Sequence, residues 1–179
     1  AARVKALSPA QILERLSQRL DMLKGGRDAD PRQRTLRSTI EWSYDLLSDE
    51  EQELFTRVSV FAGGCTLEGA EAVCNAARDL GIDVVDGVSS LVNKSLVVPS
   101  GAIDGEVRFT MLETLRQYAR EQLATTGDER LTRRAHAAYC IVLAEEGNPH
   151  LTAAEREAWL SRCDVEDDNF RAALDWLVG

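Results

Sequence analysis

Apolar residues recur at helical spacing along most of the chain. Ser8-Pro9 opens the first such run, in which Ile12, Leu13, Leu16, Leu20 and Leu23 fall three and four residues apart until Gly25-Gly26 ends it. A glycine-rich, charged connection over 25–31 leads to a second helix, predicted from about residue 32 to 47 and carrying Leu36, Ile40, Trp42, Tyr44, Leu46 and Leu47. Ser48-Asp49-Glu50-Glu51 then reads as a capping box: the serine hydroxyl and the glutamate carboxylate each accept from an amide that the helix leaves unpaired. The third helix therefore starts at once and is expected to run to about Phe61. Gly63-Gly64 interrupts it, Thr66 caps a short helix over 67–76, and Asp83 opens another over 84–93.

The pattern then changes period. The segments 95–99 (Ser-Leu-Val-Val-Pro) and 106–110 (Glu-Val-Arg-Phe-Thr) are short and β-rich, and the intervening 100–105, ending in Asp104-Gly105, makes them a predicted hairpin. Helices followed by a hairpin and one more helix give the order of a winged helix with a trailing helix, placed here at 31–125. Beyond Ala124 only helical patterns remain, over about 128–146, 152–163 and 165–178, broken at Gly147-Asn148-Pro149 and near Asp164. These breaks predict antiparallel pairs of an α-solenoid over 126–179, and one and a half such units do not close their own core. The expected class is mainly α with one short hairpin.

Composition narrows the function. Hydrophobic residues make up 44% of the 179, enough for a real core, and no stretch approaches 18 uncharged apolar residues. A membrane role is not expected, and a cytoplasmic location is the default. Cys65, Cys74, Cys140 and Cys163 are widely spaced, and His136 and His150 complete no zinc pattern, so free packed thiols are expected rather than a metal or disulfide. The net charge is −9, but residues 1–37 hold nine Lys/Arg against four acids, leaving the remainder at −14. Arg32, Arg34 and Arg37 are the candidates for a surface facing another domain or an anion. The chain opens without Met and closes on an apolar helical face, 170–178, with no following segment to cover it, which predicts a piece of a longer protein.

Five stretches, taken in order, resemble one family. Trp42-Ser-Tyr-Asp-Leu-Leu-Ser48, Leu54-Phe55 with Val58-Ser-Val-Phe-Ala-Gly-Gly64, Leu91-Val-Asn-Lys-Ser-Leu96, Met111-Leu-Glu113 and Asp168-Asn-Phe-Arg-Ala-Ala-Leu-Asp-Trp176 look like the region that follows the ATPase core in STAND NTPases. These NB-ARC-type switch ATPases include bacterial transcriptional regulators with a LuxR-type or similar DNA-binding domain elsewhere. The resemblance implies that residues 1–30 are a remnant of the helical lid of the nucleotide domain, and that 126–179 begin a tetratricopeptide-like array. It also implies that the winged helix closes over an ATP- or ADP-loaded domain lying upstream, the intramolecular partner of this segment. The repeats imply a further protein partner.

That core is not in this chain: there is no GxxxxGK[ST] and no Gly-rich strand-to-helix turn, so no cofactor and no catalysis are expected of these residues. Met111-Leu112-Glu113 stands where the resemblance places a nucleotide-sensing Met-His-Asp run. Leu112 replaces the histidine and offers neither donor nor charge, while Glu113 is expected to cap the helix start. A direct DNA-binding role is opposed by charge. Between Gly81 and Val107 the only basic residue is Lys94, against Asp83, Asp86, Asp104 and Glu106. His136, with Ala135, Tyr139, Val142 and Leu143 around it, is expected to pack rather than react, and Trp42, Trp159 and Trp176 to anchor helices. The expectation is a non-catalytic regulatory segment coupling nucleotide state to domain rearrangement. The alternatives are a protein-interaction module without nucleotide control and a DNA-binding winged helix.

Overall fold

The computed structural model of the protein describes residues 31–103, 105–147 and 152–179. The predicted helix over 12–23, and with it the expected lid remnant at 1–30, lies outside them, as do the side chains of Arg32 and Arg34. Two units are described separately, one ending at Leu46 and the other running from Leu47 to Gly179. In the first, helix α1 spans Pro31–Asp45. Ile40 is buried along it, but Trp42, expected as an anchor, is 65% exposed.

In the second unit, α2 (Asp49–Val58) starts on the predicted capping box: Ser48 Oγ accepts from Glu51 N at 3.3 Å, and Ser48 N donates to Glu51 Oε2 at 2.8 Å. It stops three residues short of Phe61 because Ser59, Val60 and Phe61 turn back with bonds to carbonyls three residues earlier. Helix α3 (Leu67–Cys74) is capped by Thr66 Oγ1, which accepts from Gly69 N at 3.1 Å, and α4 (Val84–Asn93) by Asp83. Leu54, Phe55, Val84 and Leu91 are almost fully buried where these helices meet. Each such side chain contributes roughly 1.5–3 kcal/mol. Gly87 permits the approach of α4 to α2: a Cβ there would lie 2.4 Å from Leu54 Cδ2.

The antiparallel hairpin of β1 (Val98–Ile103) and β2 (Glu106–Thr110) forms the wing. Its first strand begins three residues later than the sequence pattern predicts. Leu96 and Val97 are core residues whose amides donate to Leu91 O, closing the end of α4 instead of pairing in a ladder. The strand then continues through the expected loop, with an irregularity between Pro99 and Ala102. Helix α5 (Glu113–Thr126) packs back on α2 and ends on Gly127 in the left-handed conformation.

Three further helices complete the unit: α6 (Glu129–Glu145), α7 (Ala153–Val165) and α8 (Asp167–Val178). Helix α6 lies against α3 on one side and α8 on the other, so the winged-helix and helical parts share one packed interior. The protein is thus mainly α-helical, a winged helix with a two-stranded wing followed by additional helices. No described helix is long and apolar enough to cross a membrane.

Candidate functional site

The loop after α2, the wing and the start of α8 meet around a set of polar groups removed from water. Asn169, on the first turn of α8, has no exposed surface. Its Oδ1 accepts from Ala62 N at 2.8 Å and Gly63 N at 3.3 Å, and its Nδ2 donates to Gly64 O at 2.9 Å and to Glu166 Oε2 at 2.5 Å. Every hydrogen-bonding position of this amide is filled, as a buried polar group requires. Arg108 enters from β2 and is 4% exposed. Its Nη1 pairs with Glu166 Oε1, and its Nη2 donates to Gly64 O at 2.9 Å and Gly63 O at 3.2 Å. The Glu166 carboxylate sits at the joint between α7 and α8, where the start of α8 also favours negative charge.

This arrangement reverses the strand pattern. Alternation along Glu106-Val107-Arg108-Phe109 would put the apolar residues inside, yet Val107 is 47% exposed and Arg108 is buried. The reason is Glu166, 58 residues away, which makes the inner position of β2 the favourable one for a guanidinium.

His136, on the inner face of α6, borders the hub. Its Nε2 is 3.8 Å from Cys140 Sγ, and the Phe61 ring meets it edge-on at 4.9 Å. Burial lowers its pKa to about 4, against the opposing influence of Asn169 and Glu166, so the ring is neutral in ordinary buffers. The other buried residues of α6 are Thr132, Ala137, Cys140 and Leu143, whereas Val142, expected to pack with His136, is exposed. Burial also pushes the Cys65 and Cys140 thiols up to about 12, the state of packed rather than reactive sulfur. Among the described residues the four cysteines are free thiols, and no cluster of His, Cys, Asp and Glu has a metal-holding arrangement.

The junction before α5 separates its three residues. Met111 is buried, Leu112 is 60% exposed, and Glu113 makes no cap bond: it holds Arg116 through two contacts of 2.9 Å. Leu112 does not fill interior space; it presents an apolar side chain to the outside. Arg37, on α1, donates to Glu41 Oε1 at 3.0 Å.

The helix in the recognition position, α4, turns Val85, Asp86, Ser89 and Asn93 outward. Lys94 at its end donates to both oxygens of Glu51, each at 2.6 Å, and Ser90 Oγ reaches Glu51 Oε1 at 2.5 Å. These bonds hold the Glu51 carboxyl down to about 2. Sequence reasoning placed Lys94 correctly as the sole cation of this region but could not see that it was engaged. Nor did it single out Arg108, Glu166 and Asn169, although Asn169 stood inside one of the recognised stretches.

Residues 47–124 match the family described as "Winged helix-turn-helix domain". Over 178 residues the chain is 39% identical to a protein of Mycobacterium bovis, and equally to one of Mycobacterium tuberculosis, both provisionally named HTH-type transcriptional regulators. The match takes in 98% of this chain and 20% of each relative. An uncharacterized protein of Mycobacterium tuberculosis is 39% identical over 131 residues, 72% of this chain and 33% of that protein. The chain therefore spans about one fifth of the length of the curated relatives it matches first. No solved structure matches it.

Proposed function

We propose that this chain is a relay segment of a larger transcriptional regulator, in which the winged helix contacts protein rather than DNA and moves as one piece with the helices that follow. The observation that carries this reading is the outer surface of α4. Lys94, the one cation between Gly81 and Val107, is spent on Glu51, and the exposed residues of α4 itself are neutral or acidic. A DNA-reading helix needs several free Lys or Arg to neutralise phosphates, and even non-specific binding depends on them. The names of the mycobacterial relatives support the regulatory setting. DNA contact then belongs to a part of the regulator outside these residues.

The Arg108–Glu166–Asn169 hub supplies the relay. A buried ion pair with a saturated amide resists sliding, because any displacement leaves charges and amides unpaired at several kcal/mol. Force applied at the wing therefore reaches α8. The nucleotide-driven form of this reading rests on the resemblance to STAND NTPases: an upstream ATPase domain would hold the winged helix in one nucleotide state and release it in the other. At the Met111-Leu112-Glu113 junction Leu112 and Glu113 would face that domain, with Met111 buried beneath them, and Arg34 and Arg37 are the further candidates for contacting it. Exposed Leu112 suits an apolar contact there, and shape rather than a hydrogen bond would report the nucleotide.

The test is a gel shift with mixed duplex fragments at about 50 mM salt. No retention is expected up to about 10 μM protein, since non-specific binders reach micromolar affinity or better there. Retention at nanomolar concentration that Lys94→Gln abolishes would overturn the protein-contact reading. The nucleotide step is checked separately by whether the gene upstream of Ala1 encodes a P-loop. If it does not, an interaction module without nucleotide control is the surviving form.

A further inference from the structure

Helices α5, α6 and α8 border an open cleft of about 520 Å³. Arg116 and Arg120, one turn apart on α5, and Arg133 with Glu129 on α6 line one wall; Trp176, Asp168, Asp175 and Arg171 on α8 line the other. Arg116 and Arg133 are mostly withdrawn from solvent, with side chains 15% and 18% exposed. Each is fixed by an acid on its own helix: Glu113 takes Nε and Nη2 of Arg116, and Glu129 takes Nε of Arg133 at 2.8 Å. Among the described residues this leaves Arg116 Nη1 and both terminal nitrogens of Arg133 without a partner. Arg120, half-buried beside them, makes no hydrogen bond or ion pair with the described residues, though the Glu113 and Glu129 carboxylates act on it at longer range. Its proton affinity is depressed by burial and by the charges of Arg133 and Arg116.

Glu113 and Glu129 offset the charges of Arg116 and Arg133, but Arg120, partly withdrawn from water beside these two guanidinium groups, has no carboxylate bonded to it among the described residues, and an anion joining the three would relieve the repulsion that remains. From this geometry we infer that Arg116, Arg120 and Arg133 form a binding site for a phosphate-type oxyanion, taken either as the free ion or as the phosphomonoester of a small hydroxylated molecule. Guanidinium forks match the oxygens of such a group two at a time. The opposite wall suits the rest of a phosphorylated ligand: Asp168 and Asp175 accept from hydroxyls, and Trp176 offers a flat apolar face. Those acids also exclude a bare polyanion from filling the whole cleft. The site is independent of the protein-contact reading and is far from the Glu51–Lys94 clamp in sequence and role.

The experiment is thermal unfolding of the 179-residue protein with inorganic phosphate and with glucose 6-phosphate, chloride holding ionic strength constant and glucose as the control. Saturating ligand is expected to raise the midpoint by about 2–4 °C. A larger rise with glucose 6-phosphate assigns the phosphomonoester; an equal rise assigns the free ion. Arg120→Gln is expected to be at least as stable as the parent without ligand, because an unpaired charge is gone, and to lose at least tenfold in affinity. Arg133→Lys, which keeps the charge but not the fork, is expected to lose affinity too, and Arg156→Gln, on exposed α7, to lose none. No shift beyond chloride, or a shift retained in Arg120→Gln, overturns the site. Duplex DNA binding that Arg120→Gln removes would overturn the small-molecule assignment.

Discussion

Gly64 sits at φ +80°, and a Cβ there would fall 2.5 Å from the carbonyl oxygen of Phe109. Cys65 and Phe109 exchange both backbone hydrogen bonds across that contact, so neither strand nor loop can retreat. The Gly64 carbonyl meanwhile accepts from both Arg108 and Asn169. Gly64→Ala is therefore expected to cost about 2–4 kcal/mol in urea unfolding, the sum of a left-handed conformation and a backbone clash. Gly127→Ala separates the two contributions. Gly127 has nearly the same φ, +83°, with nothing near its missing Cβ, and its replacement is expected to cost about 1 kcal/mol. Equal losses would mean that the contact with Phe109 relaxes freely. Local signals in the sequence found Gly63-Gly64 as a break, because glycine's freedom is a property of one residue. They could not find Arg108 as a buried group, since its partners lie 44 to 58 residues away and the strand's alternation points the wrong way. Leu112 was legible only as a missing donor; its exposure depends on how the helix is seated.

The helices with side-chain caps were the most legible elements. Ser48, Thr66 and Asp83 each accept amides at the helix starts that a sequence reading assigns them, because capping is settled within four residues, and Thr152 with Glu155 forms a second capping box. The wing was less so: Leu96 and Val97 are β-rich by type but are claimed by the core and the end of α4, which moves the strand along the chain. Helix α6 carries the element-scale prediction. Below pH 6.5 the unfolded chain binds a proton at His136 that the folded chain refuses down to about pH 4. The folded state consequently loses stability as pH falls through that window and keeps it all above pH 6.5. The full difference is about 3 kcal/mol by linkage. Glu51, held down to about 2, adds its own loss as pH falls below about 4.5, the ordinary value of the unfolded carboxyl. Urea midpoints measured from pH 7 to pH 4 are expected to fall for the parent and to stay nearly level for His136→Phe, whose ring can keep the edge contact with Phe61. An equally steep fall in the variant would place the acid sensitivity elsewhere.

Across the whole unit from Leu47 to Gly179, two kinds of contact join the winged helix to the later helices. One is apolar, through α3 and α8 on either side of α6; the other is polar, chiefly the hub reaching from the loop at 62–64 to Asn169, with an ion pair from Arg57 on α2 to Asp128 at the start of α6. Apolar packing alone tolerates rotation and slip, whereas four saturated bonds on one buried amide admit a single arrangement. If the hub is what makes the unit move as one piece, removing it should divide the unfolding reaction rather than merely lower stability. Trp159 and Trp176 report on α7 and α8, and Trp42→Phe removes the fluorescence of α1. In that background the loss of tryptophan fluorescence and of helical circular dichroism is expected to coincide, as in a two-state transition. Asn169→Ala leaves two backbone amides, a carbonyl and Glu166 short of partners and is expected to cost about 3–5 kcal/mol. Its fluorescence change should precede the main loss of ellipticity, because α7 and α8 detach while α2 to α5 keep their own core of Leu54, Phe55, Leu91 and Leu123. Coincident transitions in Asn169→Ala at a lowered midpoint would show that apolar packing on α6 suffices for coupling, and the relay would then run through α3 and α6 rather than through the wing.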